Sequence, residues 1–293
     1  MTAPENKAPA TQLARAKVNL SLHVTGQRGD GYHLLDSLVV FPKIGDRLTM
    51  TAGSADGLEI KGPFGEGLAS DSDNNLVLKA RKALEQRTGR ELGPLHFTLE
   101  KTLPIASGIG GGSSDAAAAL RLMNEELALG LEERELEEIA LPLGADVPVC
   151  LASRPALMRG IGEQLQAAPN MPDCGILLVN PGLAVSTPAV FKALTNKTNS
   201  PMPEAPQSFA DLEVFCAWLQ QTRNDLQAPA ISICPEIGVV LDTLEKLPGV
   251  VFARMSGSGA TCLALCVKGQ ETAAGLKLKA ARPNWWIQAG TLA

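Results

Sequence analysis

The sequence predicts an α+β protein, on three observations. Period-two alternation of apolar residues, as at Val18, Leu20, Leu22 and Val24, marks strands. Alanine- and leucine-rich stretches such as residues 116–129 mark helices. The two kinds are mixed without the strict alternation of a doubly wound sheet. At 293 residues the chain is long enough for one large domain or two ordinary ones.

Residues 1–12 are polar, rich in Ala and Pro, and read as a flexible tail without an apolar signal core. The strand from Val18 to Val24 is expected to be half-buried, with Lys17, Asn19, Ser21 and His23 on its other face. Residues 25–31 then form a polar loop with three glycines, and residues 34–41 a returning strand. Two short strands follow at 47–52 and 58–61. A polar turn at 71–75 caps a helix that begins near Leu76 and ends before Gly89.

A strand at 96–101 leads through Pro104 into a glycine run. Ser113 or Ser114 is the expected N-cap of the next helix, with Asp115 in its first turn and Gly130 at its end. A second, acidic helix at 132–141 stops at Pro142, before the turn Gly144-Ala145-Asp146. Gly and Pro interrupt the pattern over 152–163, which places a boundary between domains at 13–155 and 156–293. Residues 195–206, rich in Pro, Asn and Ser, read as a mobile loop or linker. Helices at 211–221 and 235–247 follow. A strand pair at 250–255 and 261–267 flanks Ser256-Gly257-Ser258-Gly259, and a last helix and a strand at 285–289 close the chain.

A net charge of −5 excludes a broad basic surface for nucleic acid. Any positive potential for a polyanionic ligand must therefore be local. Six scattered cysteines, with no Cys-x-x-Cys pair, and three histidines at no metal-ligand spacing leave nothing for a structural zinc site. The cysteines read as reduced, buried small hydrophobes. No apolar run approaches the roughly 18 residues of a membrane span. The expectation is a soluble, cytoplasmic protein.

Gly108-Ile109-Gly110-Gly111-Gly112-Ser113-Ser114 places four glycines in five positions just before a helix. Glycine lets consecutive amides point at one anion, and the helix N-terminus adds unsatisfied N–H donors. The run suits a di- or triphosphate. It is not a P-loop, because Gly112 is followed by Ser113 rather than by lysine. It is not a dinucleotide fingerprint either, since Ser113 stands at the sixth position. Taken alone, a flexible linker or a tight strand-to-helix turn explains it equally well.

The stretch from Lys101 through Pro104 to Ala117 closely resembles the phosphate loop of the GHMP kinases, which act on galactose, homoserine, mevalonate and phosphomevalonate. Two further signatures of that family stand in the expected order: Ala16-Lys17-Val18-Asn19-Leu20-Ser21-Leu22, and Met255-Ser256-Gly257-Ser258-Gly259-Ala260-Thr261. The segments AKVNLSLHVTGQRGDGYHLLDSLVV, LGADVPVCL and RNDLQAPA resemble the members that phosphorylate the 2-hydroxyl of a methylerythritol bearing a cytidine diphosphate group. Those members serve the non-mevalonate isoprenoid pathway. The resemblance runs from about Ala14 almost to the C-terminus.

It implies a two-domain fold, an N-terminal mixed sheet with helices and a C-terminal ferredoxin-like domain, with the active site in the cleft between them. It implies ATP and Mg²⁺ as cofactors, a small-molecule substrate, and a monomer or weak homodimer. It implies ATP binding by Lys101, Pro104, Ser107, Gly108, Ile109, Gly110, Gly111, Gly112, Ser113 and Ser114. Lys101 is expected to supply local positive charge. Lys17 and Asp146 match the catalytic pair. Without the match, Lys17 reads as a solvated lysine and Asp146 as a turn cap. Asp146 is the expected general base, and Lys17 keeps it ionised and stabilises the transferring phosphoryl.

Substrate binding falls to Asn19, Tyr32, His33, Thr187 and Phe191, with Tyr32 and Phe191 sandwiching cytosine and His33 bonding its edge. Asp73, Asn74 and Asn75 lie toward adenosine by the same match, and Ser258 and Gly259 help close the site. Val39, Ser107 and Ile109 depart from the family's usual aromatic, small apolar and leucine residues; the glycines are kept. Asp115 suits the helix dipole better than a metal. A kinase of homoserine, mevalonate or a sugar, and a non-catalytic nucleotide-binding regulator, are the competing readings.

Overall fold

The strand patterns resolve into three four-stranded sheets. The computed structural model describes residues 9–53, 55–66, 68 and 74–292. The strands are β1 (Ala10–Arg15), β2 (Val18–Gln27), β3 (His33–Val40), β4 (Gly45–Ala52), β5 (Gly57–Lys61), β6 (Leu95–Glu100), β7 (Ala156–Gly160), β8 (Gln164–Ala167), β9 (Cys174–Asn180), β10 (Val250–Met255), β11 (Cys262–Cys266) and β12 (Trp286–Leu292). The helices are α1 (Leu76–Thr88), α2 (Gly111–Glu126), α3 (Glu133–Ala140), α4 (Val147–Ala152), α5 (Thr187–Ala193), α6 (Leu212–Gln220), α7 (Gln227–Ile233), α8 (Glu236–Glu245) and α9 (Glu271–Ala281).

The chain divides into two compact units, and a single cut near residue 155 does not describe them. Of the described residues, unit 1 takes those within 9–15, 45–103 and 111–152, and unit 2 those within 16–44, 104–110 and 153–292. The hairpin of β2 and β3 belongs with unit 2 because β3 pairs with β7, beyond the expected boundary. Such pairing is long-range and leaves no trace in local composition. Residues 10–12, expected in the tail, lie in β1, which pairs with β4. Residues 1–8 and 71–73 lie outside the described residues.

Unit 1 holds the sheet β1-β4-β6-β5, mixed because β5 runs parallel to β6. Helix α1 begins where the Asn75 carboxamide accepts the Val77 amide at 2.9 Å, and ends at Gly89 in the left-handed conformation. Helix α2 is buried almost all round. Ala116–Ala119 and Leu120 are fully enclosed, since alanine combines high helix propensity with close approach. It begins at Gly111, inside the glycine run, so Ser113 and Ser114 occupy its first turn instead of capping it. The Ser114 hydroxyl turns inward and donates to the Arg15 carbonyl at 2.6 Å.

Unit 2 holds two sheets, β2-β3-β7-β8 and β10-β11-β9-β12. The second, with α8 between β9 and β10 and α9 between β11 and β12, is antiparallel throughout. That order is the split β-α-β arrangement of a ferredoxin-like domain. No helix among the described residues is long and apolar enough to cross a membrane.

Strand β2 is buried on both faces rather than half-buried: Asn19, Ser21 and His23 are fully enclosed. Each of these side chains makes at least one polar contact. Asn19 Nδ2 donates to Ser37 Oγ at 2.8 Å, and Ser21 Oγ lies 2.7 Å from Met202 Sδ. His23 Nε2 accepts the Arg223 amide at 3.0 Å, which puts its proton on Nδ1, facing the Ser200 carbonyl at 3.0 Å. Residues 195–206 carry no regular structure, yet they are pinned onto the hairpin of β2 and β3. Asn199 N donates to the Val24 carbonyl at 3.0 Å, and Met202 N to Asp36 Oδ2 at 2.9 Å. The composition of a linker here serves a tied strap.

Arg254, on β10, is a buried cation whose guanidinium donates to the carbonyls of Leu20, Leu219 and Thr222 and to Thr222 Oγ1, at 2.7–2.9 Å. Burial lowers its pKa to about 10, well above neutrality. It caps the C-terminal end of α6, where carbonyls and helix dipole both favour a cation.

Candidate active site

The first half of the glycine run is held by its carbonyls. Ser107 O accepts Thr261 N at 3.1 Å, Ile109 O accepts Lys17 N at 2.9 Å, and Gly108 O accepts Ser256 Oγ at 3.1 Å. Ile109 is fully buried and anchors the segment, and Ser107 Oγ closes a local turn onto the Pro104 carbonyl at 2.6 Å. Both departures from the family's usual loop residues thus keep it in place.

The amides of Gly108, Ile109 and Gly110 donate to no other described residue. Ala106, Gly108 and Gly110 have positive φ (49, 74 and 63°), whereas Ser107 and Ile109 between them do not. That alternation is the backbone form of an anion-binding nest. Gly108 is obligatory, because a Cβ there would sit 2.5 Å from the Ser256 carbonyl oxygen. In unit 1 the run continues as the N-terminus of α2, with Gly112 exposed and Gly111 and Ser113 half-buried.

Lys101 corrects an expectation. It is buried in unit 1, bonded to Asp46 and, at 2.7 Å, to Asp115 Oδ2. Asp46 Oδ1 also accepts the amides of Thr102 and Leu103 at 2.6 and 2.8 Å. One ammonium thus serves two carboxylates, and its charge is compensated inside the unit. It is not the local positive source that the net acidity called for. Asp115 lies beyond the first turn of α2 and so does not cap it; the Lys101 ammonium holds its Oδ2, and its Oδ1 is buried without a partner. Among the described residues no group of three or more His, Cys, Asp or Glu forms a metal cluster.

Burial, more than the opposing pull of Lys101, raises the Asp115 pKa to about 7, and the neighbouring Asp46 charge adds to the rise. A carboxyl with a raised folded pKa contributes stability that is complete below its unfolded value near 4 and lost as pH rises to about 7. Asp115→Asn has no such titration. Urea unfolding of both proteins between pH 5 and 8.5 is expected to show the wild type losing stability relative to the variant as pH rises. A difference independent of pH would contradict this.

Lys17 is buried immediately before β2. Asp146 sits at the head of α4, its carbonyl accepting Cys150 N at 3.1 Å. The two belong to different units. Asn19 is enclosed in unit 2, and its Oδ1 is buried without a hydrogen-bond partner. Thr187, the first residue of α5, has Oγ1 2.7 Å from Ser258 Oγ, which joins α5 to the second glycine loop.

Near the β2–β3 turn, His33 stacks on Phe191, with ring centroids 4.5 Å apart and planes 23° off parallel. A base stacks about 3.5 Å from each neighbouring ring, so none fits between this pair. Tyr32 is 57% exposed. His33 Nε2 is buried without a partner, and desolvation followed by the Lys197 charge lowers the imidazole pKa. His33 is therefore neutral near pH 7, and one ring nitrogen lacks a bond.

The residues that sequence reasoning missed are those which hold the loops: Asp46, Asn224 and Arg254. Asn224 lies in RNDLQAPA, a run legible as a resemblance but without an assigned task; Asp46 and Arg254 carry no local signal.

Comparison with known proteins places this architecture. The model of the GHMP kinases N terminal domain matches residues 75–154, and that of the GHMP kinases C terminal matches residues 205–284. The chain belongs to the GHMP kinases. A "4-diphosphocytidyl-2-C-methyl-D-erythritol kinase" of Paracoccus denitrificans is 50% identical, over 96% of each chain. One of Gluconacetobacter diazotrophicus is 47% identical, over 100% of this chain and 98% of its own. A crystal structure of 4-(cytidine 5'-diphospho)-2C-methyl-D-erythritol kinase aligns with TM-score 0.75 at 33% identity, over 97% of this chain and 99% of that one. At these identities the chain falls in the same kinase family as those enzymes.

Proposed function

We infer that the protein transfers the γ-phosphoryl group of ATP to the 2-hydroxyl of 4-diphosphocytidyl-2-C-methyl-D-erythritol. The observation that carries this reading is the near-half identity, along almost the whole of both chains, to kinases of that name. The local geometry supports each part. The unpaired amides of residues 108–110 and the N-terminus of α2 offer donors to a triphosphate. With Lys101 compensated, these donors, Lys17 and the magnesium of Mg-ATP are the sources of positive potential. Magnesium would enter with the nucleotide, held largely by its phosphates, and would neutralise their charge.

Asp146 receives the acceptor's hydroxyl proton, and Lys17 stabilises charge on the transferring phosphoryl. Aspartate is a weak base in water, so most of the effect comes from position. On the acceptor side, the open His33 Nε2 suits the hydrogen-bonding edge of cytosine, and exposed Tyr32 supplies an aromatic face. Asn19 Oδ1, buried and open, suits an acceptor hydroxyl. These groups favour a cytidine-bearing acceptor over homoserine, mevalonate or a sugar, none of which calls for an aromatic face.

The test is ADP release by the purified protein with Mg-ATP across a panel of those acceptors. Turnover is expected with the cytidine diphosphate compound alone. Turnover on homoserine, with none on that compound, would sink the reading.

A further inference from the structure

We propose that Asn224 is a positioning residue for ATP, acting through the second glycine loop on the phosphate-binding segment. This rests on reading residues 108–110 as part of the nucleotide site.

Strand β2 is an end strand of its sheet, with one outer edge. Residues 223–225 cover that edge: Leu22 N donates to the Arg223 carbonyl at 2.9 Å and Asp225 N to the Leu22 carbonyl at 2.8 Å. The Asp225 carboxylate takes Val24 N at 2.7 Å. The backbone of Asn224 is thereby fixed against a buried strand, and its side chain points to the loop after β10.

There the carboxamide is fully used. Asn224 Nδ2 donates to the carbonyls of Met255 and Gly257 at 2.8 and 2.9 Å, and Oδ1 accepts Leu226 N at 3.0 Å. Gln227, in the same run, accepts Met255 N at 3.0 Å. The two carbonyls bracket Ser256, whose hydroxyl accepts Asn19 N at 3.0 Å and donates to Gly108 O. Gly257 is in the left-handed conformation, and a Cβ there would lie 2.5 Å from Gly108 O. The loop thus meets the phosphate segment through backbone and one hydroxyl. Three links lead from Asn224 to the Gly108 peptide, beside the amides that face the nucleotide.

The chemistry admits few replacements. Aspartate has the same shape but no donor, and would set a carboxylate oxygen against two carbonyl oxygens. The experiment compares Asn224→Asp, Ser256→Ala and the double variant with the wild type, reading kcat, KM for ATP, KM for the cytidine diphosphate acceptor, and Tm. Each single variant is expected to raise the ATP KM about tenfold, the scale of one lost buried hydrogen bond; Asn224→Asp should leave the acceptor KM within about twofold, whereas Ser256→Ala, which also releases Asn19 N, is read on the ATP KM alone. The double variant should be little worse than the weaker single one, because both cut the same chain of contacts. Additive losses, an unchanged ATP KM, or an Asn224→Asp protein that does not fold while Ser256→Ala behaves as wild type would each overturn the proposal. Failure of the wild type itself to bind ATP would instead sink the nucleotide reading.

Discussion

Asp146→Asn is expected to lower kcat by about a thousandfold, within the usual range for loss of a general base, with the ATP KM changed by no more than about threefold. The substitution keeps the shape and the carbonyl that accepts Cys150 N at the head of α4. It removes the negative charge and the capacity to take a proton. The amides proposed to bind the phosphates lie at Gly108, Ile109 and Gly110, on another segment, so nucleotide affinity has no reason to follow. Steady-state ADP release at varied ATP and acceptor separates the two constants. Near-normal turnover would remove Asp146 from the role of base. A large rise in ATP KM with intact kcat would make it a nucleotide contact instead.

Lys101→Met carries the largest expected effect on stability. The side chains are of similar length, but methionine leaves Asp46 and Asp115 buried and facing each other without a cation. Breaking a buried pair by removing one partner typically costs 3–5 kcal/mol. Here Asp115 takes up a proton with little penalty, its pKa being about 7 already, which puts the cost near the low end, about 3 kcal/mol. Urea unfolding at pH 7.5 measures it. The loss should shrink at pH 5, where Asp115 is neutral. The double variant Lys101→Met with Asp115→Asn should recover part of it. An unchanged midpoint would mean that the triad contributes nothing net.

Much of the fold was legible because its causes are local. Asn75 and Gly89 bound α1 by the chemistry of their own side chains and backbone, and the ferredoxin-like order follows from a resemblance that spans the chain. The glycine run reads as a phosphate loop by resemblance, but its helix begins at Gly111, three residues earlier than a Ser113 cap would start it, since Gly110 ends the nest and Gly111 already turns. What could not be read is what pairs across distance. Lys101 looks like a solvated cation until Asp46, on a different strand, and Asp115, on α2, close on it. Ser21 and His23 look like an exposed face until the strap at 195–206 meets both and Arg223 meets His23. Arg254, with no acidic partner near it in sequence, gives no hint that three carbonyls await it.

The central claim is a chemical event at one oxygen, and phosphorus NMR of the reaction mixture tests it most directly. The purified protein, Mg-ATP and 4-diphosphocytidyl-2-C-methyl-D-erythritol should yield ADP and one new phosphomonoester resonance in equal amounts. Carbon–phosphorus coupling should place the ester on the 2-position, with the cytidine diphosphate resonances intact. An ester at another carbon, cleavage of the diphosphate, or ADP formed equally without the acceptor would contradict the account.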